Sequence, residues 1–554
     1  MIFRPFAALA LAALLAAPAL AEAPGIISPD RLADHVKVLA ADEFAGRAPG
    51  GPGEPLTIKY LVDQFSALGL EPAGDNGGWT QEVALNRFVV PGDAGLSLTI
   101  NGATRPLVQT RDIMAASQRP VDRVTIDKAP LVFVGYGVSA PERGWDDFKG
   151  VDLKGKIAVF LINDPDFEAT AVDPVAGKFG GKAATYYARW SYKYEEAVRR
   201  GAIGALIVHE TAGAAYPWTT VVASNGESFD VVREHPERAK LLLQGWLQRD
   251  VAVDLFRKAG LDFEAEKLRA RTAAFRPVAL SGASFSADYP LKVDRLVSQN
   301  VLAKIPGTTH PDESIMFSAH WDAFGIGPAD ASGDTVRHGA ADDAIGVAGV
   351  IELARAFAKG PKPERTLVFA LWTAEERGLL GSEYYAEHPG FPLAKMVANF
   401  TLDVLQTAGP SRDVVLVGAG QNSLEVLLAK GAALQGRVVT PDAHPERALF
   451  YRADHFSVAK RGVPVLLLMG IGGGPDLVVG GREAGDRWVT DYTTRCYHQP
   501  CDNWSPAWDL RGAAADVDLI LFAGGELMNS RQWPDWNDGS EFKALRAKTA
   551  GERR

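Results

Sequence analysis

Residues 314–322 read SIMFSAHWD, and residues 339–360 read GAADDAIGVAGVIELARAFAKG. The first is a short apolar run that stops on a histidine and an aspartate. The second is an acidic pair followed by apolar residues at helical spacing. A buried strand, polar residues at its carboxyl end and then a helix form the repeating unit of an α/β sheet. The pattern recurs: NVLAKI (300–305), TLVFALW (366–372), VANFTL (397–402), DVVLVG (413–418) and PVLLLM (464–469) are strand runs, with a helix over SLEVLLAKGAAL (423–434) between them. Strands apolar on both faces and separated by helical spacers predict a mostly parallel central sheet flanked by helices.

Functional groups of such sheets gather at the carboxyl ends of the strands. Here those ends carry His320 and Asp322, then Glu375 and Glu376, then Asp403, while Asp342 and Asp343 stand at the head of a helix. Far downstream, between Cys496 and Cys501, stands His498. Singly, each reads as a solvated loop residue. Brought together, these carboxylates and the two imidazoles could not pack without cations, because unpaired buried charge costs several kcal/mol per ion. Imidazole and carboxylate donors suit zinc, and cobalt or manganese fit the same set.

HWDAFG, GAADDAIG, TAEERGLLGSEYY, TLDV and YHQPCDNW, in this order, resemble the co-catalytic dizinc aminopeptidase superfamily, which includes bacterial leucyl aminopeptidases, glutamate carboxypeptidases and glutaminyl cyclases. The resemblance covers residues 299–530 and the early segment LAADEFAGRAPGGPGE. It implies two zinc ions: His320 and Asp403 on one, Glu376 and His498 on the other, and Asp342 bridging them. It further implies Glu375 as general base and Asp322 as the group orienting His320 through its second ring nitrogen. FYRADHFSVAKRGVPVL resembles the same family, with Ala453 where a serine is common. Asp454 and His455 are expected to support the site, and Tyr451 is a candidate oxyanion donor.

The remainder sets the surroundings. A chain of 554 residues exceeds one ordinary core and predicts two globular units. Residues 1–21, MIFRPFAALALAALLAAPALA, have the layout of a secretory signal peptide, too short in its apolar run to span a bilayer. That predicts a periplasmic or secreted protein with no lasting membrane insertion, in which Cys496 and Cys501 form a disulfide; metal ligation by the two thiolates is the alternative. Residues 22–124 are expected to begin the peptidase domain and 281–530 to complete it. Between them, 125–280 form a smaller α/β unit whose VGYGVSAPERGWDDFKGVDLKGKIAVFL resembles an inserted protease-associated domain. Residues 531–554 read as a loose polar tail. With 58 Lys and Arg against 68 Asp and Glu, and no basic run interleaved with aromatics, nucleic acid is excluded as a partner. The expected function is a zinc aminopeptidase acting on peptides. The alternatives are a carboxypeptidase of the glutamate carboxypeptidase type, a glutaminyl cyclase, or a non-catalytic receptor-like protein on the same fold.

Overall fold

The computed structural model describes residues 26–553. The expected signal peptide, residues 1–21, lies outside them.

A ten-stranded sheet forms the larger half of the molecule. Its principal strands are β1 (Thr80–Val89), β2 (Glu227–Val231), β3 (Lys292–Ile305), β4 (His310–His320), β5 (Arg365–Trp372), β6 (Met396–Leu402), β7 (Asp413–Val417), β8 (Val438–Pro441) and β9 (Val465–Leu468). They lie side by side as β2-β1-β3-β5-β4-β6-β9-β7-β8. The centre, β5-β4-β6-β9, is parallel, and these strands are buried along almost their whole length. On either side the direction reverses: β3 runs antiparallel to β5, β1 antiparallel to β3, and β7 antiparallel to β9, while the edge pair β7-β8 is again parallel. The sheet is therefore mixed, with the parallel part confined to the strands joined by covering helices. Helices α1 (Pro29–Leu39), α2 (Ile345–Lys359) and α3 (Arg511–Met528) pack together on one face. Phe317 of β4 stacks between Phe369 of β5 and Phe400 of β6, with ring centroids 5.5 and 5.6 Å away. Such stacks add to area burial and hold the register of the parallel core.

The second sheet has eight strands and its own apolar core. Its boundaries correct the expected ones. Gly95–Ile100, Ala103–Leu107 and Ile113–Ala116, all upstream of residue 125, pair within it, and Val278–Pro290 extends it past residue 280. Alternation marks these runs as strands but does not say which sheet they join. In the other direction, β2 leaves the inserted segment and pairs with β1 of the large sheet. The carboxyl-terminal segment is not loose: Trp536 and Phe542 are buried, and Arg546 donates to the Met396 carbonyl at 3.0 Å. Its apolar residues were too sparse for periodicity to reveal the docking.

Candidate metal centre

Each site residue sits where a parallel strand ends or a helix begins. His320 is the last residue of β4, Glu375 and Glu376 follow β5, and Asp403 follows β6. Asp342 lies in the turn leading into α2. That turn is tight at Gly339, whose φ is 58° and where an added Cβ would lie 2.5 Å from the Asp342 carbonyl oxygen.

Asp342 stands at the middle. Its Oδ1 is 3.0 Å from His320 Nε2 and its Oδ2 is 3.1 Å from His498 Nε2, which is also 3.3 Å from Glu376 Oε2. Two groups of three result, His320 with Asp342 and Asp403, and Asp342 with Glu376 and His498, the donor atoms of each lying within 4.8 Å of one another. A third, overlapping group joins His320 to Glu375 and Glu376. Glu376 Oε1 and His498 Nε2 are shielded from solvent and make no hydrogen bond. Buried polar atoms without partners are rare, and here they are the atoms a cation would need. Nitrogen and oxygen donors with no thiolate match zinc. The donor set fits zinc.

The electrostatics agree. Burial pushes the Asp403 carboxyl up to about 8, with Asp342 and Asp454 adding to the rise. Glu375 and Glu376 are likewise held well above the ordinary range, by burial first and then by neighbouring carboxylates. Burial acts on Asp342 in the same sense, but His320 and His498 outweigh it and hold that carboxyl low.

Several expected roles change. Asp322 does face His320 Nδ1, but through its backbone carbonyl at 3.1 Å, its carboxylate being 3.7 Å away. That carboxylate instead accepts from the Glu375 and Glu376 amides at 3.0 and 3.4 Å, shaping the turn that carries both glutamates. Tyr451 is committed elsewhere, its hydroxyl donating to Glu541 at 2.9 Å. The tyrosine beside the cluster is Tyr497, its ring 3.7 Å from that of His498. Asp454 is buried near the centre with Oδ1 unpartnered, whereas His455 packs against Phe450 and neither of its ring nitrogens has a partner. Cys496 and Cys501 form a disulfide that closes the loop presenting His498.

Three supporting residues had no role assigned from sequence. Asp343 accepts from the His320, Gly346 and Val404 amides, tying β4, α2 and the end of β6 together. Asp502 accepts from the Ala341 and Asp342 amides at 2.8 and 3.1 Å. Arg47 is fully buried and donates to the carbonyls of Leu39, Trp321, His338 and Gly339, each at 2.7 Å. It staples the chain just after His320 to the turn just before Asp342. Arg47 lies in the early family-like segment, and Asp502 in YHQPCDNW; these were the available signals.

Residues 300–521 match the model of peptidase family M28. Among curated relatives, a probable zinc metalloprotease of Pyrenophora teres is 38% identical over 105 residues, 19% of this chain and 22% of that protein. A vacuolar membrane protease of Saccharomyces cerevisiae is 33% identical over 108 residues, 20% of this chain and 10% of that protein. The matches thus span about a quarter or less of the curated relatives. Among solved structures, an aminopeptidase from Aneurinibacillus sp. strain AM-1 aligns with TM-score 0.48 at 19% identity, covering 92% of this chain and 95% of that one. A zinc aminopeptidase from Bacillus subtilis aligns with TM-score 0.43 at 17% identity, covering 93% and 99%. The relatives overturn one expectation. A periplasmic or secreted location does not stand beside proteins named as vacuolar membrane proteases in Saccharomyces cerevisiae and Lodderomyces elongisporus. Among the described residues, no helix is long and apolar enough to cross a membrane.

Proposed function

We propose that this chain is a dizinc exopeptidase that hydrolyses the amino-terminal bond of peptides. The observation that carries the reading is the placement of Asp342, one oxygen toward His320 and the other toward His498. His320 and Asp403 would hold one ion, Glu376 and His498 the other, with Asp342 shared. When bound, such ions supply Lewis acidity for the scissile carbonyl and make water more acidic.

The chain's own groups do the rest. Glu375 is positioned by the Asp322 carboxylate through its backbone amide, so its side chain is free to face the reacting water. It accepts that water's proton and returns it to the departing amine. Asp343 and Arg47 hold the ligand-bearing strand ends in register, limiting reorganisation during the reaction. Glu375 beside both clusters supports a hydrolase over a non-catalytic receptor, which would need no base there. Two complete donor groups support a two-metal enzyme over a one-metal cyclase.

The experiment is product analysis on a set of peptides with free, acetylated and amidated ends. Loss of cleavage on acetylation, with amidated peptides still shortened from the amino end, is the expected result. The opposite pattern would make the enzyme a carboxypeptidase.

A further inference from the structure

A cleft of about 600 Å³ opens beside Glu375, Glu376 and His498 and is walled on its far side by the inserted segment. It carries many cations, and nearly all of them are paired. Arg199 meets Glu196 at 2.6 Å, Arg233 meets Asp230 at 3.1 Å, Lys240 meets Asp230 at 3.0 Å, and Arg461 meets Glu383 at 2.9 Å. Arg189 and Arg452 are different. Both line the cleft, and among the described residues neither side chain has a hydrogen bond or a carboxylate within ion-pair distance.

The two come from different parts of the fold. Arg189 immediately precedes the helix Trp190–Arg199 of the inserted segment, and Arg452 follows Tyr451 in the peptidase domain. Arg189 Nε is shielded from solvent and unpartnered. Burial first, and then the like charge of Arg452, lowers that guanidinium to about 10. Arg452 also acts electrostatically on Asp403, and both arginines line the same cleft as Glu375, Glu376 and His498. Two neighbouring cations, one of them desolvated and without a counter-charge, are costly to the free protein. A planar anion between them would remove that cost, and guanidinium forks match a carboxylate in shape and charge.

We propose that Arg189 and Arg452 together dock a carboxylate of the peptide substrate, so that the enzyme favours substrates bearing a carboxylate close to the bond it cleaves. The inference rests on the peptidase reading above for its substrate, and on the unpaired guanidiniums for its chemistry. Two sources supply such a carboxylate, the free carboxyl terminus of a dipeptide or an acidic side chain at the second position. The first makes the enzyme a dipeptidase; the second makes it selective for acidic residues in longer peptides.

The test compares leucyl-glycine with leucyl-glycinamide, and amidated leucyl-aspartate with amidated leucyl-asparagine. A preference of about tenfold in kcat/KM for one charged member over its neutral partner is expected, and which pair shows it identifies the source. Arg189→Gln and Arg452→Gln should each collapse that ratio toward one, and Arg189→Lys should restore only part of it. Binding of the same four probes to Glu375→Gln protein, by calorimetry, reads the preference without turnover. Equal treatment of charged and neutral probes, or a ratio that survives both arginine substitutions, would overturn the proposal. Charge-selective binding with no cleavage by the wild-type enzyme would instead overturn the peptidase reading and leave the carboxylate site standing.

Discussion

Asp342 Oδ2 lies 3.1 Å from His498 Nε2, although one residue lies in the turn leading into α2 and the other sits in a disulfide-closed loop far along the chain. His498 has a φ of 63°, an uncommon backbone state for a side chain with a Cβ. The loop thus presents the imidazole at an angle that ordinary extended or helical backbone would not supply.

That geometry makes the disulfide a positioning device. Replacing Cys496 and Cys501 with serine, or adding reductant, should weaken retention of the metal at Glu376 and His498 about tenfold or more. The melting temperature should shift little, because the closed loop is only a few residues long and contributes little chain entropy on opening. Metal titration in parallel with thermal unfolding checks this; unchanged affinity in the serine variant contradicts it.

Glu375→Gln should lower kcat by two to four orders of magnitude, about the range for loss of a general base, while bound metal stays at the wild-type level. Steady-state kinetics with elemental analysis of the same sample is the measurement. Substantial residual turnover would take the glutamate out of that role.

Arg47 joins four carbonyls around the site, so Arg47→Met leaves buried acceptors without donors. A loss of about 3 kcal/mol in unfolding free energy is expected, since each unsatisfied buried group costs about 1–3 kcal/mol and relaxation recovers part. Denaturant unfolding reads the loss. A drop below about 1 kcal/mol would mean the staple is redundant.

His455 gives a pH prediction. Burial lowers its pKa from 6.5 to about 3, so the unfolded chain binds a proton there that the folded chain refuses. Its contribution to stability is complete above pH 6.5 and is lost as pH falls toward 3. Between those limits His455→Gln should show a shallower fall in stability with acid than the wild type, by up to about 1.4 kcal/mol per pH unit. Parallel slopes in urea unfolding at pH 6.5, 5.5 and 4.5 would contradict this.

Much of the centre was readable from residue order. His320, Glu375, Glu376 and Asp403 each end an apolar run, and in a parallel sheet such ends share one edge. What escaped reading was relational. That the Asp322 carboxylate serves the Glu375 turn rather than the histidine ring depends on which of its oxygens, backbone or side chain, comes nearer. The strands at 95–116 looked the same whichever sheet they joined. The isolation of Arg189 and Arg452 is a lack of partners, and spacing along a chain carries no record of that.

The central claim is that Asp342 is shared between two bound ions. Elemental analysis of the purified, active wild type beside Asp342→Ala tests it most directly. Two equivalents of transition metal per chain in the wild type, falling below one in the variant, is the predicted result. An active wild type with one equivalent or none, or an Asp342→Ala protein that keeps both, would contradict it.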